Sequence, residues 1–258
     1  VFVTQNERLL FLIEYLKNES AEYRGLRVPD SLDERKTLFR SLVNIRKPKS
    51  ISKEFLAVQD EFLQGEIREK GITDGNKLPF VENKICLWQG DITLLQCGAI
   101  VNAANSAMLG CFVPCHKCID NAIHTFSGVQ LRLACDEIMK KQGTAEQTGQ
   151  AKITDAYTLP CDFVLHTVGP IVYGALSEKH CSLLAACYLS CLDLAEQNGI
   201  QSVAFPCIST GEFHFPNEKA AEIAVNTVRN RLKNSSVERV IFNVFKDGDK
   251  QIYERLLG

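Results

Sequence analysis

The spacing of apolar residues changes at Gly75 to Pro79, and this change constrains the fold more than any other feature of the chain. Ahead of it the spacing is helical. Leu9, Leu10, Ile13 and Leu16 fall on one helix face, Leu38, Leu42 and Ile45 repeat the period, and Phe55, Val58, Phe62 and Ile67 mark a third helix. Pro29 and Pro48 punctuate the gaps, and no strand-like run occurs there. Beyond the break, short apolar runs alternate with helical stretches. Ile85 to Leu87, Ala99 to Val101, Phe163 to Thr167, Val203 to Phe205 and Val240 to Val244 read as strands. Stretches 118–126, 128–142, 178–198, 217–233 and 249–257 read as helices. Such alternation predicts an α/β sheet with crossover helices. Gly199 suits a helix C-cap, and Pro216 suits the first turn of the next helix. The chain therefore divides into a helical N-terminal extension, 1–78, and an α/β domain, 79–258.

Composition narrows the function classes. A length of 258 residues allows one large domain, or one domain with a small companion. Hydrophobic residues at 45% and charged residues at 23% indicate a soluble globular protein. No apolar run approaches the ~20 residues that a membrane-spanning helix needs. A formal charge of -2 without a Lys/Arg block argues against nucleic acid as a partner. The cysteine count, 11, is odd and no secretory signal opens the chain, which points to reduced thiols in a cytoplasmic protein. Cys86, Cys97, Cys135, Cys161, Cys181, Cys187 and Cys191 read as small core residues.

One segment departs from that bland use of cysteine. Residues 111–118 read Cys-Phe-Val-Pro-Cys-His-Lys-Cys, a dense cluster of thiols with one imidazole. Thiolate and neutral imidazole are preferred zinc ligands, and a run supplying about three of them leaves a coordination position open for catalysis. Residue type alone leaves choices open. Cys115 and Cys118 form a Cys-x-x-Cys pair compatible with half of a zinc knuckle or with a redox motif. Cys135 and Cys207 are alternative distant ligands, and the run also fits a metal-free turn.

Open α/β sheets bind ligands in the loops beyond the carboxyl ends of their strands. Gly90-Asp91-Ile92-Thr93, the stretch from Asn102 to Asp120, and Ser209-Thr210-Gly211-Glu212-Phe213 have that placement. Small residues running into a helix expose backbone N–H groups that can cradle a diphosphate. Together with Asn102-Ala103-Ala104-Asn105, Ile119-Asp120-Asn121-Ala122-Ile123-His124, Thr148-Gly149-Gln150-Ala151 and His166-Thr167-Val168-Gly169-Pro170, these loops resemble the macrodomain family, which binds ADP-ribose. The resemblance spans about residues 80–258 and leaves the helical extension outside. It implies a mixed central sheet flanked by helices on both faces.

The resemblance also implies roles. Asp91 accepts from the adenine amino group with Ile92 packing nearby, and Asn105 holds hydroxyls of the distal ribose. Ser209, Thr210, Gly211 and Glu212 line the diphosphate, Phe213 covers the ribose, and Ile119 and Asp120 belong to the same binding set. The plainer readings are an N-cap for Asp91 and a simple turn for 209–213. His214 stands where a glycine is common in this loop.

Many hydrolytic macrodomains carry a run of glycines between the Asn-Ala-Ala-Asn turn and the Asp. The cysteine run in that place resembles the zinc-containing bacterial branch, whose members also carry a helical segment ahead of the macrodomain. That likeness assigns Zn2+ to Cys111, His116 and Cys118 and leaves Cys115 out. The implied activity is a hydrolase that removes mono-ADP-ribose from proteins modified on Asp or Glu. Zinc would lower the pKa of water to about 7 or grip a ribose oxygen, and Asp120 would act as general base beside Asn105. Asp120 alternatively caps the helix that follows, and His124 and His166 read as packed core histidines. The branch is associated with a sirtuin-type transferase and a lipoyl carrier, which makes a modified lipoylated carrier protein a partner. Competing functions are a non-catalytic ADP-ribose-binding module, an O-acetyl-ADP-ribose deacetylase, and an interaction protein with a structural zinc.

Overall fold

A computed structural model describes residues 4–258. It opens with α1 (Gln5–Asn18), α2 (Leu32–Ile45) and α3 (Lys53–Lys70). Thr4 and Glu7 form a capping box at the start of α1, and the Ser52 hydroxyl accepts from Phe55 N at the start of α3, which fixes where each helix begins. Leu9, Leu12 and Ile13 meet Phe39, Leu42, Phe55 and Phe62 in a core of their own. The buried face of α1 is turned slightly from the expected one, since Leu12 is buried while Leu10 is half-buried. Val129 joins the same core from the second part of the chain, so the extension is packed onto its neighbour rather than tethered to it.

The rest of the chain is β1 (Thr73–Asp74), β2 (Ile85–Gln89), β3 (Leu95–Gln96), β4 (Ala99–Ala104), α4 (Ile119–Phe126), α5 (Val129–Gln142), β5 (Ala151–Asp155), β6 (Phe163–Val168), α6 (Glu178–Gln197), β7 (Ser202–Phe205), α7 (Asn217–Leu232), β8 (Arg239–Val244) and α8 (Asp247–Leu257). The main sheet runs β2-β8-β7-β4-β6-β5, and its pairs are parallel except β5 against β6. Val101, Val203 and Phe242 face α6 and α7 on one side, while Ile100, Val164 and Ile241 face α4 and α5 on the other. Burial on both faces explains why these strands read as unbroken apolar runs.

Two features escape that criterion. The edge strand β5 carries Lys152, Thr154 and Asp155 among its five residues, and the parallel pair β1 with β3 is two residues long. At the end of α6, Gly199 lies one place beyond the C-cap Asn198, with φ of 67°. Ile200 N donates to Ala195 O and Gly199 N to Glu196 O, closing the helix with a Schellman motif. Pro216 is the N-cap of α7 rather than its first helical residue.

Topology now places the crevice. From β4 the chain moves out to the edge strand β5, returns to β6 beside β4, and α6 then carries it back across β4 to β7. The β4–β7 pairing covers Ala99 with Val203 and Ile100 with Ala204, after which the strands lead into different loops. A reversal of strand order of this kind opens a ligand crevice at the carboxyl ends of the strands. Asp91, Asn105, Gly169 and Ser209 all lie just past strand ends on that edge.

Candidate active site

Helix α4 brings Asp120 to the end of β4. Its N-cap is Cys118, whose sulfur accepts from Asn121 N at 3.4 Å, so Asp120 sits inside the first turn and does not cap it. Asp120 as a whole residue is 5% exposed. Asn102 Nδ2 donates to its Oδ1 at 2.9 Å, and Asn105 Nδ2 donates to its Oδ2 at 3.3 Å. Burial pushes the carboxyl up to about 6, against the opposing effects of the Asn102 hydrogen bond and the Arg132 charge.

Asn102 is more than a turn former. It points inward from β4 and is fully buried between Asp120 and His166, with its Nδ2 3.1 Å from His166 Nδ1. Burial pushes His166 down to about 3, so the ring is neutral at neutral pH. With Nδ1 accepting from Asn102, the proton belongs on Nε2, which faces Thr154 Oγ1 at 3.0 Å. His166 is thus a hydrogen-bonded core residue that orients Asn102, and Asn102 orients Asp120. His124 lies one turn beyond Asp120, with Nε2 3.5 Å from Oδ1, and its burial holds it well below the ordinary imidazole range.

The cysteine run forms a loop beside this carboxylate. Cys111, His116 and Cys118 each offer a donor atom, and these atoms lie within 4.8 Å of one another. A zinc ion bound at about 2.0–2.3 Å to each would hold them roughly 3.5–4 Å apart, so the set fits a single ion. His116 Nδ1 is buried without a hydrogen-bond partner, while Nε2 faces Glu212 Oε1 at 3.7 Å. An orphaned imidazole nitrogen beside two thiols is the donor chemistry zinc takes. Cys115 points elsewhere, its thiol 3.2 Å from Ser41 Oγ. Cys135 groups instead with His124 and His166, and the Cys207 thiol faces Asn243 O at 4.0 Å. All 11 cysteines are free, and Cys181 and Cys207 are half-buried.

The remaining loops line the same edge. Asp91 Oδ1 accepts from Thr93 N at 3.0 Å and Thr93 Oγ1 at 2.7 Å, capping the turn after β2 and leaving Oδ2 for a ligand. Ile92 is buried with Ile67, Leu95 and Ile100, so its side chain belongs to the core and does not face the crevice as the resemblance implies. Ser209 has a φ of 66° and a buried Oγ without a partner. A Cβ at position 169 would collide with that Oγ, which is why Gly169 is required there. Phe215 N donates to Ser209 O, and Val172 N donates to Phe213 O, so the loops after β6 and β7 are tied together. His214 takes the glycine-like conformation itself, with φ of 55°.

The Macro domain family model matches residues 101–224. A protein-ADP-ribose hydrolase of Treponema medium is 55% identical over 261 residues, covering 99% of this chain and 100% of the relative. This chain belongs to the macrodomain family. A protein-ADP-ribose hydrolase of Staphylococcus aureus strain Mu50 is 47% identical over 254 residues, covering 97% of this chain and 95% of that relative. The Trypanosoma brucei macrodomain in complex with ADP-ribose aligns with a TM-score of 0.66 at 29% identity, covering 85% of this chain and 95% of that one.

Within this macrodomain, the structure adds a residue that the sequence did not single out. Phe245 follows β8 and is 74% exposed. Its carbonyl accepts from Gln89 Nε2, and Gly90 N donates to Val244 O, so the backbone at Phe245 runs beside the turn that carries Asp91. An exposed aromatic on the same edge as the Asp91 turn is a surface on which a flat ring could stack. Base–aromatic stacking is worth roughly 1–3 kcal/mol, so Phe245→Ala is expected to weaken ADP-ribose binding by about 5–150-fold, read by calorimetric titration. Unchanged affinity would remove Phe245 from the site.

Proposed function

We propose that this macrodomain is a zinc-dependent hydrolase that releases mono-ADP-ribose from proteins modified on Asp or Glu. The observation that carries the reading is the placement of Asp120: a buried carboxylate, held by Asn102 and Asn105, next along the chain from the Cys111, His116 and Cys118 cluster. Relatives at 55% and 47% identity over nearly the whole chain are named protein-ADP-ribose hydrolase, which supports hydrolysis over binding alone.

In this reading Asp91 and Phe245 take the adenine, the loop 209–213 takes the diphosphate through its backbone, and the distal ribose reaches Asn105 and Asp120. Water attacks the anomeric carbon. Its oxygen bonds to that carbon, the carbon–oxygen ester bond breaks, and the protein carboxylate leaves with the bonding electrons. Asp120 takes one proton from the attacking water, and Asn102 keeps the receiving oxygen in place. Asn105 holds the ribose so that the carbon stays within reach. A zinc ion bound by Cys111, His116 and Cys118 would supply Lewis-acid polarisation of an oxygen at the ribose. On the family resemblance, a lipoylated carrier protein is the modified substrate to try first, and the free thiols suit a cytoplasmic setting. No helix among the described residues is long and apolar enough to cross a membrane.

The test is release of ADP-ribose from a protein mono-ADP-ribosylated on Asp or Glu, run beside O-acetyl-ADP-ribose. Multiple turnovers on the modified protein are expected. Tight ADP-ribose binding without release would leave a binding module, and turnover confined to the acetyl ester would leave a deacetylase.

A further inference from the structure

Within the cysteine loop His116 N donates to Val113 O at 3.2 Å, but most of what holds its shape lies outside it. Its apex, Cys115, has a φ of 53°, a conformation that costs a non-glycine residue roughly 1–3 kcal/mol unless its surroundings impose it. Those surroundings belong to α2. Cys115 N donates to Asn44 Oδ1 at 2.9 Å, and its thiol lies 3.2 Å from Ser41 Oγ and 3.5 Å from Thr37 O. Asn44 is fully buried, and its Nδ2 donates to Thr125 Oγ1 on α4 at 3.0 Å.

Arg40 makes the second attachment, directly at the donor residues. Its Nη2 donates to His116 O at 3.1 Å and to Asn121 Oδ1 at 2.7 Å, while Nε reaches the same Asn121 oxygen at 3.1 Å. Asn121 in turn donates from Nδ2 to Val113 O at 3.0 Å and from its backbone N to Cys118 Sγ. One guanidinium therefore fixes the His116 backbone and the side chain that spans the loop from Val113 to Cys118. At the loop's entrance, Arg132 of α5 donates to Leu109 O at 2.6 Å and to the Val43 and Arg46 carbonyls at the end of α2, with its guanidinium 4.3 Å over the Phe112 ring.

We infer that the helical N-terminal extension is a working part of the metal site: α2 clamps the 111–118 loop in its ligating shape, so metal binding and the docking of α2 are thermodynamically linked. This rests on the zinc reading of the cluster. The groups involved are positioning residues, not ligands. A partner that orients a ligand typically contributes roughly 10–100-fold to metal affinity. Linkage is reciprocal, so an ion that favours the clamped loop must stabilise the docked helix by the same factor.

The experiment uses the full chain. Zinc affinity is measured by competition with a chromophoric chelator for the parent, for Arg40→Met, which keeps the stem and loses the donors, and for Arg40→Lys, which keeps the charge and loses the fork. Arg40→Met is expected to lower zinc affinity at least about tenfold with helical circular dichroism retained, and Arg40→Lys to lower it less. In the parent, adding zinc is expected to slow hydrogen exchange in α2 as well as in 111–118. A folded Arg40→Met or Arg40→Lys protein with parental affinity would overturn the clamp, as would α2 exchange indifferent to zinc. Should Arg40→Met lose its helical signal, the Arg40→Lys affinity and the exchange in the parent decide. A parent that takes up no zinc would sink the zinc reading itself, which separates the two failures.

Discussion

Asp120→Ala is expected to lower the rate of ADP-ribose release from modified protein by about 10²–10⁴-fold, the range general base catalysis contributes, and to change ADP-ribose affinity far less. The two readouts separate because the carboxylate acts on the attacking water, whereas ligand affinity is spread over the adenine, diphosphate and ribose contacts along the crevice. A loss that falls equally on kcat and kcat/KM marks an interaction made in the transition state. The competing account of Asp120, as a helix cap, makes a different prediction: lost stability with the chemistry intact. Since Cys118 occupies the N-cap, that account lacks a structural basis. Asp120→Asn provides the stricter form of the experiment. The residue keeps its shape, but one of its two polar atoms becomes a donor facing Asn102 or Asn105, both of which already present their amide N–H groups. Rates within fivefold of the parent for both variants, measured in single turnover, would remove Asp120 from the chemistry.

What was legible in the sequence follows a physical division. Strands buried on both faces, such as Val164 and Leu165 in β6 or Ile241 and Phe242 in β8, print themselves as apolar runs. Strand β5 does not, because it is an edge strand whose five residues include Lys152, Thr154 and Asp155, leaving no apolar run. Strand ends identify loops, so order alone puts Asp91, Asn105 and Ser209 on one edge. Orientation is a different matter. Asn102 lies inside a strand, and its role depends on an inward-facing side chain meeting a helix residue 18 positions later and a histidine on the next strand. Phe245 shows only as an aromatic after an apolar run, and nothing local says that it stays exposed. Arg40 and Asn44 sit on the polar side of a helical period, where a sequence reads them as solvated, yet their partners lie more than 70 residues away. The same long-range contact decides among the cysteines: spacing alone could not demote Cys115, but its left-handed turn sends the thiol to Ser41 and Thr37.

Removing metal is expected to abolish turnover, by at least about 10²-fold, with recovery on adding back one equivalent of zinc. The size follows from where the charge sits. Asp120 is set in a buried environment, and the donors Cys111, His116 and Cys118 converge within 4.8 Å beside it, so a bound cation would be the strongest field acting on the ribose. Donor substitutions sharpen the test. Cys111→Ser, His116→Ala and Cys118→Ser each remove one of three ligands and should lose the metal and the activity together. Cys115→Ser should keep both, because a hydroxyl at that position can still bond to Thr37 O and Ser41 on α2. His116→Ala is the most informative of the set, since its Nδ1 has no other partner to lose, whereas Cys118 also caps α4 and its replacement disturbs the helix that carries Asp120. Metal content by atomic emission and release rate are read on the same samples. Metal-free protein that turns over at the parental rate would separate the cluster from catalysis and leave Asp120 to act alone, and a Cys115→Ser protein that loses its metal would redraw the ligand set.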